Sequence, residues 1–187
     1  IQQASCGRFF SRTAPSVLQL IPVDPKQGNM RYVRGPLGGG ADTIDGLSIF
    51  KPPYSRVTAI NLNTGEQQWM APLGNGPRNH PLLKDLNLPP LGDQNQVGVS
   101  VLVTKTLLFV SARPLGTKWD DADAVRKLLY IFDKRSGTLL RVVEMDGLAA
   151  AAPITYLHGG KQYIVVATDG RAGNELVALS LPGTPGN

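Results

Sequence analysis

Apolar residues along this chain fall in short runs broken by turn residues, and a helical spacing is never sustained. Val57-Thr58-Ala59-Ile60-Asn61-Leu62 reads as a strand. Asn63-Thr64-Gly65 supplies a tight turn in which the glycine is free to take positive φ, and Gln67-Gln68-Trp69-Met70 resumes an extended pattern. The unit returns in Leu129-Tyr130-Ile131-Phe132-Asp133-Lys134-Arg135-Ser136-Gly137-Thr138-Leu139-Leu140. There Asp133 stands four positions before its turn glycine, as Asn61 stands before Gly65. A third copy begins at Leu176-Val177-Ala178-Leu179-Ser180-Leu181 and stops where its turn is due. Asn61 and Asp133 are 72 positions apart, Asp133 and Ser180 only 47. The 23 residues from Gly74 to Gln96, rich in Gly, Pro and Asn, account for nearly all of the difference as an inserted loop. The underlying period matches one four-stranded propeller blade of roughly 40–50 residues.

Laid out on that period, the chain is all-β and forms part of one propeller domain of two to three blades. Val17 to Val23 reads as a strand ended by Pro22, and residues 24–56 as a long surface loop dominated by turn chemistry. A blade hairpin spans 57–73, the inserted loop 74–96, a full blade 97–145 and a last blade 149–182. Within the last blade, His158 to Lys161 is a turn and Asp169 to Asn174 a loop; the final residues are polar and should fray. Residues 120–129 are the one short helical candidate.

Composition supports this reading. Gly 21, Pro 15 and only 18% charged residues favour a loop-rich β protein. The net charge of +5 is scattered rather than gathered into a basic stripe, so nucleic acid is not an expected partner. Cys6 is the only cysteine, which excludes a disulfide framework and a cysteine metal site. No apolar run approaches a membrane span, and the first residues carry neither an initiator Met nor a signal-peptide pattern, so the chain reads as a piece of something longer.

The unit Ala59-Ile60-Asn61-Leu62-Asn63-Thr64-Gly65-Glu66-Gln67-Gln68-Trp69 resembles the signature repeat of quinoprotein propellers, Ala-x-Asp-x-x-Thr-Gly-x-x-x-Trp. Phe50 to Tyr54, Asn87 to Gly92, Leu102 to Val110 and Gln162 to Ala167 look like the C-terminal blades of pyrroloquinoline-quinone (PQQ)-dependent dehydrogenases, closest to the membrane-type glucose dehydrogenase group. The resemblance runs from about Ser11 to Pro182. It implies an eight-bladed propeller with PQQ and calcium on its axis, oxidising a sugar or alcohol in the periplasm or cell envelope. Electrons then pass to a membrane quinone or a cytochrome. The family's catalytic Asp and most calcium ligands belong to earlier blades, so no catalytic or metal residue is assigned here. The isolated chain is expected to be inactive. Three departures stand out: Arg141 occupies the Trp position of the second repeat, the family's Gly-Gly segment is Asp93-Gln94-Asn95-Gln96-Val97-Gly98, and residues 1–10 do not look like the expected strand.

Asn95 and Gly98 are the candidate cofactor contacts, an amide for a quinone carbonyl or carboxylate and a glycine that lets backbone approach a flat ring. Lys105, at a turn, is a candidate cation for the cofactor's carboxylates. The bland readings are a polar loop tip for the first two and a solvated turn lysine for the third. Trp69 is expected to dock between blades rather than on a cofactor, and Trp119 to sit at a rim. Asp120, Asp121 and Asp123 lack the pattern of a calcium loop, and His80 and His158 have no partner at metal-ligand or triad spacing. The triple glycine at 38–40 reads as linker rather than a phosphate cradle. Propellers of this repeat also serve as non-catalytic interaction scaffolds, which is the alternative function.

Overall fold

A computed structural model describes residues 8–13, 19–36, 43–94, 96–114, 127–170 and 173–181. The strands are β1 (Arg8–Thr13), β2 (Leu20–Pro22), β3 (Tyr32–Arg34), β4 (Thr43–Ile44), β5 (Leu47–Ser48), β6 (Arg56–Asn61), β7 (Gln67–Pro72), β8 (Gln96–Val103), β9 (Leu107–Pro114), β10 (Leu128–Asp133), β11 (Leu139–Glu144), β12 (Leu148–Ala149), β13 (Ile154–His158), β14 (Lys161–Gly170) and β15 (Gly173–Ser180). The one helical element among the described residues is a 3-10 turn at Lys84–Leu86. No helix is long and apolar enough to cross a membrane among these residues.

Three antiparallel sheets are stacked. The first has the order β1-β6-β7, the middle one β11-β10-β9-β8, and the last is built on β14, with β12 and β13 along one edge and β15 on the other. Strand periodicity explains the stack, because successive side chains point to opposite faces. On the middle sheet Leu108, Val110, Ala112, Leu128, Tyr130 and Phe132 face Val57, Ala71 and Leu73 of the first. The intervening residues Phe109 and Leu129, with Met145, face Ile164 and Val166 of the last. A sheet apolar on both faces needs a neighbour on each side, and each fully buried aliphatic contributes about 1.5–3 kcal/mol. Among the described residues the last sheet has no such second neighbour. Ile154, Tyr156 and Leu176, on its far face, remain 60%, 46% and 75% exposed.

The repeat read from the sequence is reproduced bond for bond. In the first copy the Asn61 side chain accepts from Asn63 N (2.9 Å), its carbonyl from Gly65 N (2.7 Å), and its amide donates to Glu66 O (2.9 Å). In the second, the Asp133 side chain accepts from Arg135 N (2.9 Å), its carbonyl from Gly137 N (2.9 Å), and its amide donates to Thr138 O (2.9 Å). Both hairpins also shift register at the same place, after Ala59 and after Ile131. That shift sets Trp69 opposite Ala59 and Arg141 opposite Ile131.

One chemical difference between the copies is measurable. The Ser136 N–H, then its hydroxyl, hold the Asp133 carboxyl below the ordinary aspartate range. A depressed folded-state pKa contributes stability above the unfolded pKa and loses it as pH falls through the folded value. Asp133→Asn, which copies Asn61, should therefore melt below the wild type at neutral pH and converge with it in acid. Thermal melts across pH test this; a gap that stays constant into acid would refute it.

The structure corrects three expectations. Residues 8–10 do lie in a strand, β1, which pairs with β6 from Arg8↔Asn61 to Thr13↔Arg56. The stretch 24–56 holds β3 and the β4–β5 hairpin rather than continuous loop. Asp169, Gly170, Gly173 and Asn174 extend the β14–β15 ladder instead of leaving it. In the last two cases local turn chemistry was overridden by backbone pairing to a neighbouring strand.

Candidate functional site

The strands divide the stack into two unlike ends. At one end the connections are tight: residues 62–66, 104–106 and 134–138. Trp69, on β7, seats on the last of these turns, its indole N–H donating to Lys134 O (3.2 Å) while its ring lies against Gly137. At the other end β1, β7 and β9 finish and β6, β8 and β10 begin, each pair separated by a long stretch of sequence. Binding residues concentrate on loops held by a rigid scaffold, so the long-connection end is where a site belongs.

The β7–β8 connection is organised rather than slack. Its two limbs run side by side: Asp93 N donates to Leu73 O (2.7 Å), Gly92 N to Gly74 O (3.1 Å) and Leu91 N to Asn75 O (3.0 Å). The Asp93 side chain is buried and accepts from Gly76 N (3.0 Å). Buried His80 takes a hydrogen bond from Leu82 N on Nδ1 (3.2 Å). Its proton therefore sits on Nε2, which donates to Asp45 O (3.0 Å). Gln94 uses both halves of its amide. Its Oε1 accepts from Ser48 N (2.7 Å) and its Nε2 donates to Gly46 O (3.0 Å). His80 and Gln94, from separate parts of one connection, thus grip the β4–β5 hairpin from two sides. Nothing in the sequence marked Gln94, because its partners are backbone groups 46 and 48 positions away.

Gly98 lies in β8, the edge strand of the middle sheet, at the long-connection end. Val97 pairs with Arg113 and Ser100 with Ser111, so Gly98 and Val99 together oppose Ala112 alone. This is a bulge, a device that re-aims an edge strand and recurs beside active sites. Asn95 lies outside the described residues, between Gln94 and the start of β8. Lys105 sits at the opposite, tight-turn end, exposed between β8 and β9. Six residues separate it from Gly98, nearly all of them in β8, a span of about 20 Å, so a single flat ligand does not reach both. The turn that carries Lys105 is instead braced by Lys134, whose Nζ donates to Thr104 O (2.8 Å). His158 is exposed at the end of β13, opposite Lys161. Trp119, Asp120, Asp121, Asp123, Cys6 and the triple glycine lie outside the described residues, among which no three His, Cys, Asp or Glu side chains gather as a metal site.

Residues 23–164 match the model of the PQQ glucose/ethanol/alcohol dehydrogenase β-propeller domain. The chain belongs to this family. It is 28% identical over 149 residues to the glycerol dehydrogenase large subunit of Gluconobacter thailandicus, covering 75% of this chain and 18% of that protein. It is 26% identical over 188 residues to quinoprotein glucose dehydrogenase A of Acinetobacter calcoaceticus, covering 90% and 22%. A probable quinate dehydrogenase (quinone) of Xanthomonas campestris pv. juglandis is 28% identical over 145 residues, covering 73% and 17%. The chain thus spans about a fifth of the length of these curated relatives. No solved structure gives a significant match. Family membership gives the stack its meaning: the small antiparallel sheets are part of a PQQ-type β-propeller.

Proposed function

We propose that this chain forms the C-terminal blades of a PQQ-dependent dehydrogenase that oxidises a sugar or alcohol and passes electrons to a membrane quinone or cytochrome. The observation that carries the reading is the glycine bulge of β8, at the long-connection end of a blade of this family. Its chemistry fits a flat, carboxylated ligand: a glycine leaves backbone open to a ring face, and Asn95, three positions earlier in the sequence, carries an amide donor and acceptor. When bound, PQQ supplies a quinone able to accept hydride from the substrate. The part of this chain is then to hold the cofactor through Gly98 and Asn95 and to wall off that side of the site. Lys105, at the other end of β8, is not assigned to the contact.

The rest of the site belongs to the remaining blades. Calcium ligands and the base that takes the substrate's proton are placed there, and the exposed face of Ile154, Tyr156 and Leu176 is a surface for another blade of the ring. The relatives named glycerol, glucose and quinate dehydrogenases support a polyhydroxylated substrate. The location proposed with it is the periplasm or cell envelope. The isolated 187 residues should show no dye-linked glucose oxidation with PQQ and Ca²⁺. The deciding experiment titrates the full-length protein with PQQ, following cofactor absorbance with and without Ca²⁺. Saturable, calcium-dependent binding is expected. No binding by a folded product would sink the dehydrogenase reading and leave a non-catalytic propeller scaffold.

A further inference from the structure

The side chain beside the candidate cofactor contact does not point its chemistry at a ligand. Gln94 immediately precedes Asn95, yet both halves of its amide are committed to the β4–β5 hairpin, as acceptor from Ser48 N and donor to Gly46 O. The same hairpin is held through Asp45 O by His80. On the other side, Asp93 is locked to Leu73 and Gly76 by its backbone and carboxylate. Residues 93 and 94 therefore form a rigid junction between the inserted connection, the β4–β5 hairpin and the bulged start of β8.

We propose that Gln94 is a positioning residue. By clamping the hairpin against the start of β8 it sets the placement of the Gly98 bulge, and through it the affinity for the cofactor. This rests on the PQQ reading above. The physical argument is preorganisation: a bidentate amide whose two bonds reach 46 and 48 positions upstream leaves the backbone at 94 little freedom. Losing that restraint makes the cofactor order the strand itself. His80 reaches the hairpin at a distance from β8, so it supports the clamp without setting the strand.

The test uses Gln94→Met in the full-length protein, a variant that keeps the side chain's length and removes both hydrogen bonds. Val166→Ala, in the core on the far side of the middle sheet, serves as a control for lost stability alone. Two readouts are taken: hydrogen exchange of the Ser48 amide, which needs no cofactor, and the PQQ titration. The expected result is faster Ser48 exchange and a Kd for PQQ raised about tenfold, the scale typical of second-layer partners. Val166→Ala should show a lower Tm with an unchanged Kd. Faster Ser48 exchange with an unchanged Kd would overturn the positioning role while leaving the PQQ reading intact. An equal rise in Kd for Val166→Ala would also overturn it. Failure of the wild type to bind PQQ would remove the reading and the proposal together.

Discussion

Trp69→Ala should destabilise the protein by about 3 kcal/mol, and Gly137→Ala by a similar amount, but the two changes should not add. Trp69 is half-buried, packs on the cluster between the first two sheets and donates to Lys134 O across the blade boundary. Gly137 has a φ of 75°, and a Cβ there would stand 2.5 Å from the indole ring. Replacing Gly137 therefore carries two penalties, roughly 1 kcal/mol for the left-handed backbone and the remainder for driving the ring off its seat. With Trp69 already alanine, only the first survives. Urea unfolding of the two single variants and the double variant should give a coupling of about 2 kcal/mol. Equal cost of Gly137→Ala in both backgrounds would show that the ring does not rest there.

Gly92→Ala should be more damaging than either, by about 4 kcal/mol or more. Its φ is 72°, and a Cβ would run into the carbonyl oxygen of Ser55 and stand 2.8 Å from Ser55 N. The Gly137 clash is with a ring that can swing aside, whereas this one is with a fully buried backbone that also accepts from Leu73 N. Relief requires the β7–β8 connection to lift from the start of β6, which would undo the Asp93 and Gln94 junction as well. Loss of folded yield, or a Tm drop exceeding that of Trp69→Ala, is the expected result. A variant that melts within a degree or two of the wild type would refute the close approach at Ser55.

The fold was largely legible because its signals are local. The hairpins at Gly65 and Gly137, the β8–β9 pair and the alternation of β9 and β10 are all carried by period-two patterning and turn residues within a dozen positions. One misreading came where pairing was non-local: nothing near Arg8 announces that it will meet Asn61. Elsewhere turn residues hid short strands, β3 and the β4–β5 hairpin within 24–56. The site was legible only in part. A glycine near the start of a strand could be suspected of close approach, but the bulge that gives Gly98 its meaning exists only in the register with Arg113 and Ser111. Lys105 looked useful because charge can be read from sequence and the end of a blade cannot.

The sequence by itself determined the repeat, the all-β class, the family and the wedge role of Trp69, because each depends on residue type at short spacing. The tertiary structure alone decided that Gly98 and Lys105 occupy opposite ends of the stack and that Gln94 is spent on a distant hairpin. It also decided that His80 carries its proton on Nε2. Those outcomes rest on hydrogen bonds to backbone groups of segments tens of residues away, and a backbone group leaves no mark in the identity of the residue that carries it.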